Sequence, residues 1–549
     1  MGVGLSRREV LAGGLVAGAP PAIEPAVVKR HDEAVERLLK LQITDPASRW
    51  RGVYPDDYGL HHAGTAGGIL ENCAAAFLNS GSRFHRDQAL IERMRLAAGY
   101  LERAQNEQGN IDLIITNFNS PPDTAFVVQN VATAACLARR SGERELEGLM
   151  ERFLSRAAKA LAVGGVHTPN HRWVVCSALA QLNELYPHAA LVRRIDQWLA
   201  EGIDIDEDGQ YTERSTLVYN LAVDHALIVV AAKLGRPELL LPVRRNLDSM
   251  LYLLHPGYEV VTEISRRQDQ YERGDLGRYW FPLRYVAVRD GDGRFAALAD
   301  QFAARYARLP ALMEYPELAQ PGPAHAAAPE FYERQFPAVG MARIRRGPVS
   351  ATLILGGSSR FFTLRHGAAV VNAVRFASAF FGKGQFVPQQ AEKRAEGYFF
   401  RQSLEGDYMQ PLEKAYRVGP AQWAKARGER RRTELCKLEQ TALVTEMASG
   451  FRVRLQAQGT EGVPVAVEIN LREGGTLEGG QPAPRVADAW LLPAGQARYR
   501  VGDDEIRFGP GLCLHRYTQV RMAEPKLPGP SVYLTGYTPF DHTLAFDWG

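Results

Sequence analysis

Cysteine is scarce and unpatterned. There are five in 549 residues (Cys73, Cys136, Cys176, Cys436 and Cys513), an odd number, and none forms a CxxC pair. That excludes a disulfide framework or a thiolate zinc site as the organising device, and leaves buried structural thiols as the reading. An excess of either charge is missing as well: 65 Lys and Arg face 62 Asp and Glu, a net +3. A nucleic-acid binder would concentrate basic charge on one face, whereas this balance suits an acidic small-molecule or polysaccharide ligand. No tetratricopeptide or ankyrin signature recurs, and no apolar run is long enough to make an integral membrane segment.

What is present points to two large domains, because a chain of this length exceeds one compact core. The apolar share of 46% and charged share of 23% are those of an ordinary globular protein. Near the start, Ser6-Arg7-Arg8-Glu9-Val10-Leu11 precedes a short Gly- and Ala-rich apolar run. Paired arginines ahead of such a run resemble a twin-arginine export signal, expected over residues 1–25, with the mature chain beginning near 19–25. A periplasmic or secreted protein follows, and the alternative is a helix start carrying two ordinary arginines.

From 31 to 308 apolar residues recur at three and four, over 34–41, 67–78, 90–104, 125–138, 146–161, 173–186, 192–200, 218–234, 239–254 and 295–306. Gly or Pro marks the joins. This predicts helical hairpins with no strand between them, an (α/α) incomplete toroid over 28–308. Residues 309–337, rich in Pro and Ala, read as a linker. Thereafter the period is two, over 338–345, 350–355, 361–364, 370–376, 398–404, 443–447, 451–457, 463–471, 497–501, 505–508 and 531–538. An antiparallel β-sandwich over 338–549 is expected.

Chemistry concentrates at 164–220. A first loop, Val166-His167-Thr168-Pro169-Asn170-His171-Arg172-Trp173, runs into an apolar helix, where unpaired amides favour a carboxylate. Asn170 would donate to that carboxylate with His171 beside it as proton acceptor; against this, Thr168 or Asn170 simply caps the helix. His167 and His171 are four apart, but Pro169 between them and the lack of HExxH argue against a metal pair. A second loop, Asp208-Gly209-Gln210-Tyr211-Thr212-Glu213-Arg214-Ser215, leads to Tyr219-Asn220 at another helix start. There a tyrosine is often a packing residue and Glu213 with Arg214 often a weak surface pair. Two further polar islands, 261–269 with Arg266 and Arg267 and 110–123 with Asn117 and Asn119, stand at other joins. In a toroid such joins converge on one rim.

The order of these residues resembles the toroid-plus-β-sandwich polysaccharide lyases, the heparinase II/III-like and alginate lyase superfamily. Asn170-His171 precedes one helix, and a stretch with Asp208, Gly209, Glu213, Ser215 and Tyr219 follows about fifty residues on. The stretch Arg365-His366-Gly367 through Phe386 is similar in placement to their sandwich domain. Their His-x-His-x-Asp strand has no evident counterpart, so His366 alone is a candidate for an additional histidine. The resemblance implies β-elimination on a 4-linked uronic-acid polysaccharide. Asn170 would neutralise the carboxylate, Tyr219 would protonate O4, and His171 or Tyr219 itself would take the C5 proton. Asn117, Asn119, Arg172, Glu213, Arg214, Arg266, Arg267 and His366 would bind substrate, the arginines clamping carboxylates or sulfates. That scheme requires no metal or organic cofactor; a structural metal is left open. Besides a scaffold or partner-binding helical array, whose concave face would not need this His, Asn and Tyr set, two rivals stay open. One is a glycoside hydrolase using Asp206, Asp208 or Glu213 opposite Asp112 or Asp123. The other is a non-catalytic glycan-binding protein of the same build.

Overall fold

A computed structural model describes residues 23–548. The predicted export segment, up to residue 22, lies outside the described residues. Two compact units emerge, a helical one (up to 205, 211–248 and 276–328) and a sheet one (206–210, 249–275 and from 329).

The helical unit contains α1 (Pro25–Leu41), α2 (Ala63–Leu78), α3 (Gln88–Ala104), α4 (Pro121–Arg140), α5 (Arg144–Leu161), α6 (Pro169–Leu185), α7 (Ala189–Leu199), α8 (Tyr219–Leu234), α9 (Leu240–Met250), α10 (Trp280–Asp290), α11 (Gly293–Tyr306) and α12 (Leu309–Glu314). They alternate between two environments. In α6 every residue from Trp173 to Leu182 is buried, so the helix is enclosed on all sides. In α5 burial falls on Leu146, Met150, Phe153, Leu154, Ala157, Ala160 and Leu161, a single stripe. Accordingly α2, α4, α6, α8 and α10 pack successively as an inner layer, and α3, α5, α7 and α11 cover them. Thr133 on α4 accepts from Gln181 on α6 at 3.0 Å, and Gln129 meets Ser177 one turn earlier. The constant offset makes α4 and α6 parallel, so their N-termini share one rim of the toroid.

Three departures from the sequence reading have local causes. Strands β1 (Ile111–Leu113) and β2 (Asn117–Ser120) interrupt the helical run, a hairpin too short to show a period of two. Helix α10 was not predicted: its sequence is aromatic and buried from Trp280 to Ala287, which erases the one-sided stripe. The predicted linker is structured at both ends. Leu309 packs with Val28, Ala75 and Leu137, Pro310 suits the first turn of α12, and Phe331–Phe336 is a strand.

In the sheet unit, β3 (Phe331–Phe336), β4 (Met341–Arg346), β5 (Val349–Ile354), β6 (Phe362–His366) and β7 (Ala369–Ser378) form an antiparallel meander, continued by a strand at Pro464–Leu471 and another at Ser531–Tyr537. A second sheet begins with β8 (Gln390–Arg394), β9 (Gly397–Met409), β10 (Arg432–Met447) and β11 (Gly450–Gly459) and adds Phe540–Asp547, Asp504–Gly509 and Ala497–Val501. Their inner faces share one core, with Phe362, Val374 and Phe376 from the first meeting Phe451, Leu455 and Phe546 from the second. This is the expected antiparallel sandwich. Residues 249–275, assigned from sequence to the toroid, group with it: Leu254 O accepts from buried Arg343 at 3.0 Å, and His255 Nδ1 lies 2.9 Å from Ser350 Oγ.

Candidate active site

Pro169 occupies the first turn of α6, where a missing N–H costs nothing. It brings Asn170 and His171 into that turn, with Asn170 1% and His171 6% exposed. The Asn170 amide donates to Glu213 Oε2 at 2.6 Å and to Thr168 Oγ1 at 3.1 Å. Because Glu213 is an acceptor, the amide nitrogen must face it. His171 packs edge-on against His167 (4.7 Å between centroids) and Phe126 (6.2 Å).

The second loop is built to deliver Glu213 and Tyr219 together. Gly209 sits in the left-handed region (φ 81°), and Asp206 Oδ1 accepts from the N–H groups of Asp208 and Gln210. Asp208 Oδ2 accepts from the Val339 N–H at 3.0 Å, and Gln210 donates to Ser249 at 2.8 Å. Ser215 Oγ then accepts from the Tyr219 N–H at 3.0 Å and Ser215 O from the Asn220 N–H at 2.9 Å, which fixes the start of α8. Glu213 thus holds the head of α6 two residues before Ser215 holds the head of α8.

Other predicted site residues lie in structural networks. Arg172 pairs with Glu201 (3.0 Å) and Asp204 (2.8 Å), and Trp173 Nε1 donates to Asp204 as well. Asn117 donates to Asp123 at 2.8 Å. Asn119 adopts φ 48°, accepts from Asn106 (2.7 Å) and Asn110 (3.0 Å), and its N–H donates to Asp112 at 2.6 Å. Arg214 also has a left-handed backbone, φ 49°. Arg266 and Arg267 belong to the sheet unit, as does His366, whose Nδ1 lies 2.9 Å from Glu505 O while its ring stacks on Trp548. Among the described residues no three His, Cys, Asp or Glu side chains gather as a metal-binding group, and no helix is long and apolar enough to cross a membrane.

One supporting pair went unforeseen. Tyr211 OH donates to Asp224 Oδ1 at 2.8 Å, tying the second loop to the middle of α8. Burial pushes the Asp224 carboxyl well above its ordinary value near 3.8, against the smaller opposing effect of the Tyr211 hydroxyl. An aspartate inside an otherwise apolar helix was the available signal. Above pH ~4 the unfolded chain ionises here while the fold holds the proton, so the group's contribution to stability falls as pH rises. Asp224→Asn should therefore gain melting temperature relative to the parent between pH ~4 and ~7. Melting curves at three pH values check this, and a difference independent of pH would refute it.

No family model matches the sequence, and a search of curated proteins returns no match. Solved structures do match. The chondroitin AC lyase of Streptomyces coelicolor A3, solved with chondroitin sulphate, aligns with TM-score 0.55 and 14% identity over 97% of this chain and 80% of that one. A Paenibacillus xanthan lyase gives TM-score 0.55 and 11% identity over 96% of this chain, which spans only 57% of that enzyme. A mutant of the Pedobacter heparinus heparan sulfate lyase HepC gives TM-score 0.50 and 12% identity over 97% and 84%. The chain has the fold of these three lyases, an (α/α) toroid followed by an antiparallel β-sandwich.

Proposed function

We propose that this chain is a polysaccharide lyase that cleaves a 4-linked, uronic-acid-containing polysaccharide by β-elimination. The observation that carries the reading is the Asn170–Glu213 hydrogen bond at the head of α6, with Tyr219 heading the adjacent α8 two turns of sequence later. Elimination must remove a weakly acidic C5 proton beside a carboxylate, so that carboxylate has to be neutralised first. Asn170 does this by exchanging its bond to Thr168 for one to the substrate, while Glu213 fixes the orientation of the amide. Tyr219 donates to O4; His171 takes the C5 proton, or Tyr219 serves as both base and acid when proton and leaving group share a face. The scheme needs no metal or organic cofactor, and the substrate is an acidic polysaccharide or oligosaccharide met in the periplasm or outside the cell.

The hydrolase reading needs two opposed, available carboxylates. Here Glu213 holds Asn170, Asp123 takes Asn117 and Ser120, Asp112 takes the Asn119 N–H, and Asp206 and Asp208 are used within their turn and by Val339. That favours elimination. Incubation with alginate, glucuronan, hyaluronan, chondroitin and heparin-like chains should yield an unsaturated product that absorbs in the ultraviolet. Reducing ends without that absorbance would favour hydrolysis, and binding with neither a lectin-like role.

A further inference from the structure

The sheet unit holds a polar cavity of about 340 Å³, within the size range of small-molecule sites. Residues of the 259–273 segment line one side, and β6, β7 and the Pro464–Leu471 strand the other. Of its eight charged side chains, Glu259, Glu263, Arg365 and Arg472 are matched, and Glu272 and Glu473 stand exposed at its edge. Arg365 and Arg472 both hold Glu259 at 2.8 Å; burial alone would raise that carboxyl, yet the two guanidiniums keep it at about 2. Glu263 faces His255 at 3.7 Å and Thr363 at 3.5 Å.

Arg360 is arranged differently. Among the described residues its guanidinium forms no ion pair; it lies over Tyr271, with Cζ 3.6 Å from the ring centroid. Glu468 and Glu524, whose fields reach it, are ion-paired to Arg375. A guanidinium over a phenol ring has one face occupied and its edge N–H groups available, the fork that matches a planar oxyanion. Stacking also removes the rotamer freedom that an arginine would lose on binding. The same cavity is lined by Asn372, whose amide nitrogen is used by Asn470 (3.0 Å) and whose oxygen can accept from a hydroxyl. Arg273, exposed, adds a second cation at the cavity.

We propose that this cavity binds an oxyanion-bearing sugar, a uronate or a sulfated ring, through bidentate donation from Arg360 held on Tyr271. The oxyanion half of this assignment stands on the cavity alone; the sugar half rests on the lyase reading. Such a site would engage a charged residue of the polysaccharide through side chains other than Asn170, His171 and Tyr219.

The test is calorimetric titration of the full chain with D-glucuronate, glucose 6-sulfate and glucose. Both anions should bind and glucose should not. Arg360→Ala should weaken both by about tenfold or more, the loss expected for hydrogen bonds to a charged group. Tyr271→Leu removes only the stack, at a residue 36% exposed, and should cost about two- to fivefold without unfolding the protein. Tyr219→Phe should leave these affinities unchanged. Equal binding of glucose, or parental affinity in Arg360→Ala with an unchanged melting curve, overturns the site. Loss of binding in Tyr219→Phe alone puts the sugar elsewhere and also overturns it, leaving the lyase reading untouched. Conversely, Arg360-dependent binding with no unsaturated product from any polymer sinks the lyase reading and keeps the cavity.

Discussion

Tyr219→Phe should reduce kcat by about a thousandfold, the middle of the range for removing a positioned acid or base, while substrate Kd stays within about threefold because one exposed-side hydrogen bond contributes little net affinity. The expectation follows from position. Tyr219 is the first residue of α8, half-buried, and its backbone is held by Ser215 whether or not the phenol oxygen is present. The ring and its packing survive the substitution, so the melting temperature should move little. If Tyr219 is both base and acid, no residual pH dependence from His171 should remain in the variant; if His171 is the base, His171→Ala should show a comparable loss. Activity in Tyr219→Phe within about tenfold of the parent would sink the assignment, since one absent proton donor costs more than that in any acid–base scheme.

The fold was legible wherever burial is one-sided. The stripe of α5 and the period-two strands such as Ala497–Val501 follow from elementary periodicity. Complete burial alone did not hide a helix, since α6 is enclosed on all sides and still shows the spacing over 173–186; it did where aromatics crowd the segment. Helix α10 has no polar face to mark it, and residues 251–254 carry the apolar spacing of a helix yet lie beyond the end of α9, with Leu254 O held by Arg343 of β4. The site divides the same way. Pro169 and the Asp208-Gly209 turn mark two loops because backbone constraints are written in single residues. Pairings across distance are not: Asn170 with Glu213 is separated by 43 residues and Tyr211 with Asp224 by 13. For the same reason Arg172, Asn117 and Asn119, chosen for their chemistry, could not be read as partners of Asp204, Asp123 and Asp112.

On the proposed lyase mechanism, Asn170→Ala should also lower kcat by about a hundred- to a thousandfold, which is the measured scale for removing one preorganised donor to a developing negative charge. Its second effect separates chemistry from structure. The substitution removes the amide at 2.6 Å from the buried Glu213 carboxylate, 7% exposed, and losing a hydrogen bond to a charged group costs about 1.5–3 kcal/mol. Asn170→Ala should therefore melt lower than the parent, and adding Glu213→Ala should recover part of that loss, because the carboxylate that lost this donor is gone. Catalysis should not recover: if Glu213 acts only by turning the amide, kcat of the double variant equals that of Asn170→Ala alone, a strongly non-additive cycle. Glu213→Gln can still offer an oxygen to Asn170 and should retain activity within about tenfold. Asn170→Asp instead sets two carboxylates against each other, so one must hold a proton and the donor to the substrate is lost. A Glu213→Gln variant as dead as Tyr219→Phe, with additive losses in the cycle, would give Glu213 a chemical role of its own and return the balance to a hydrolase.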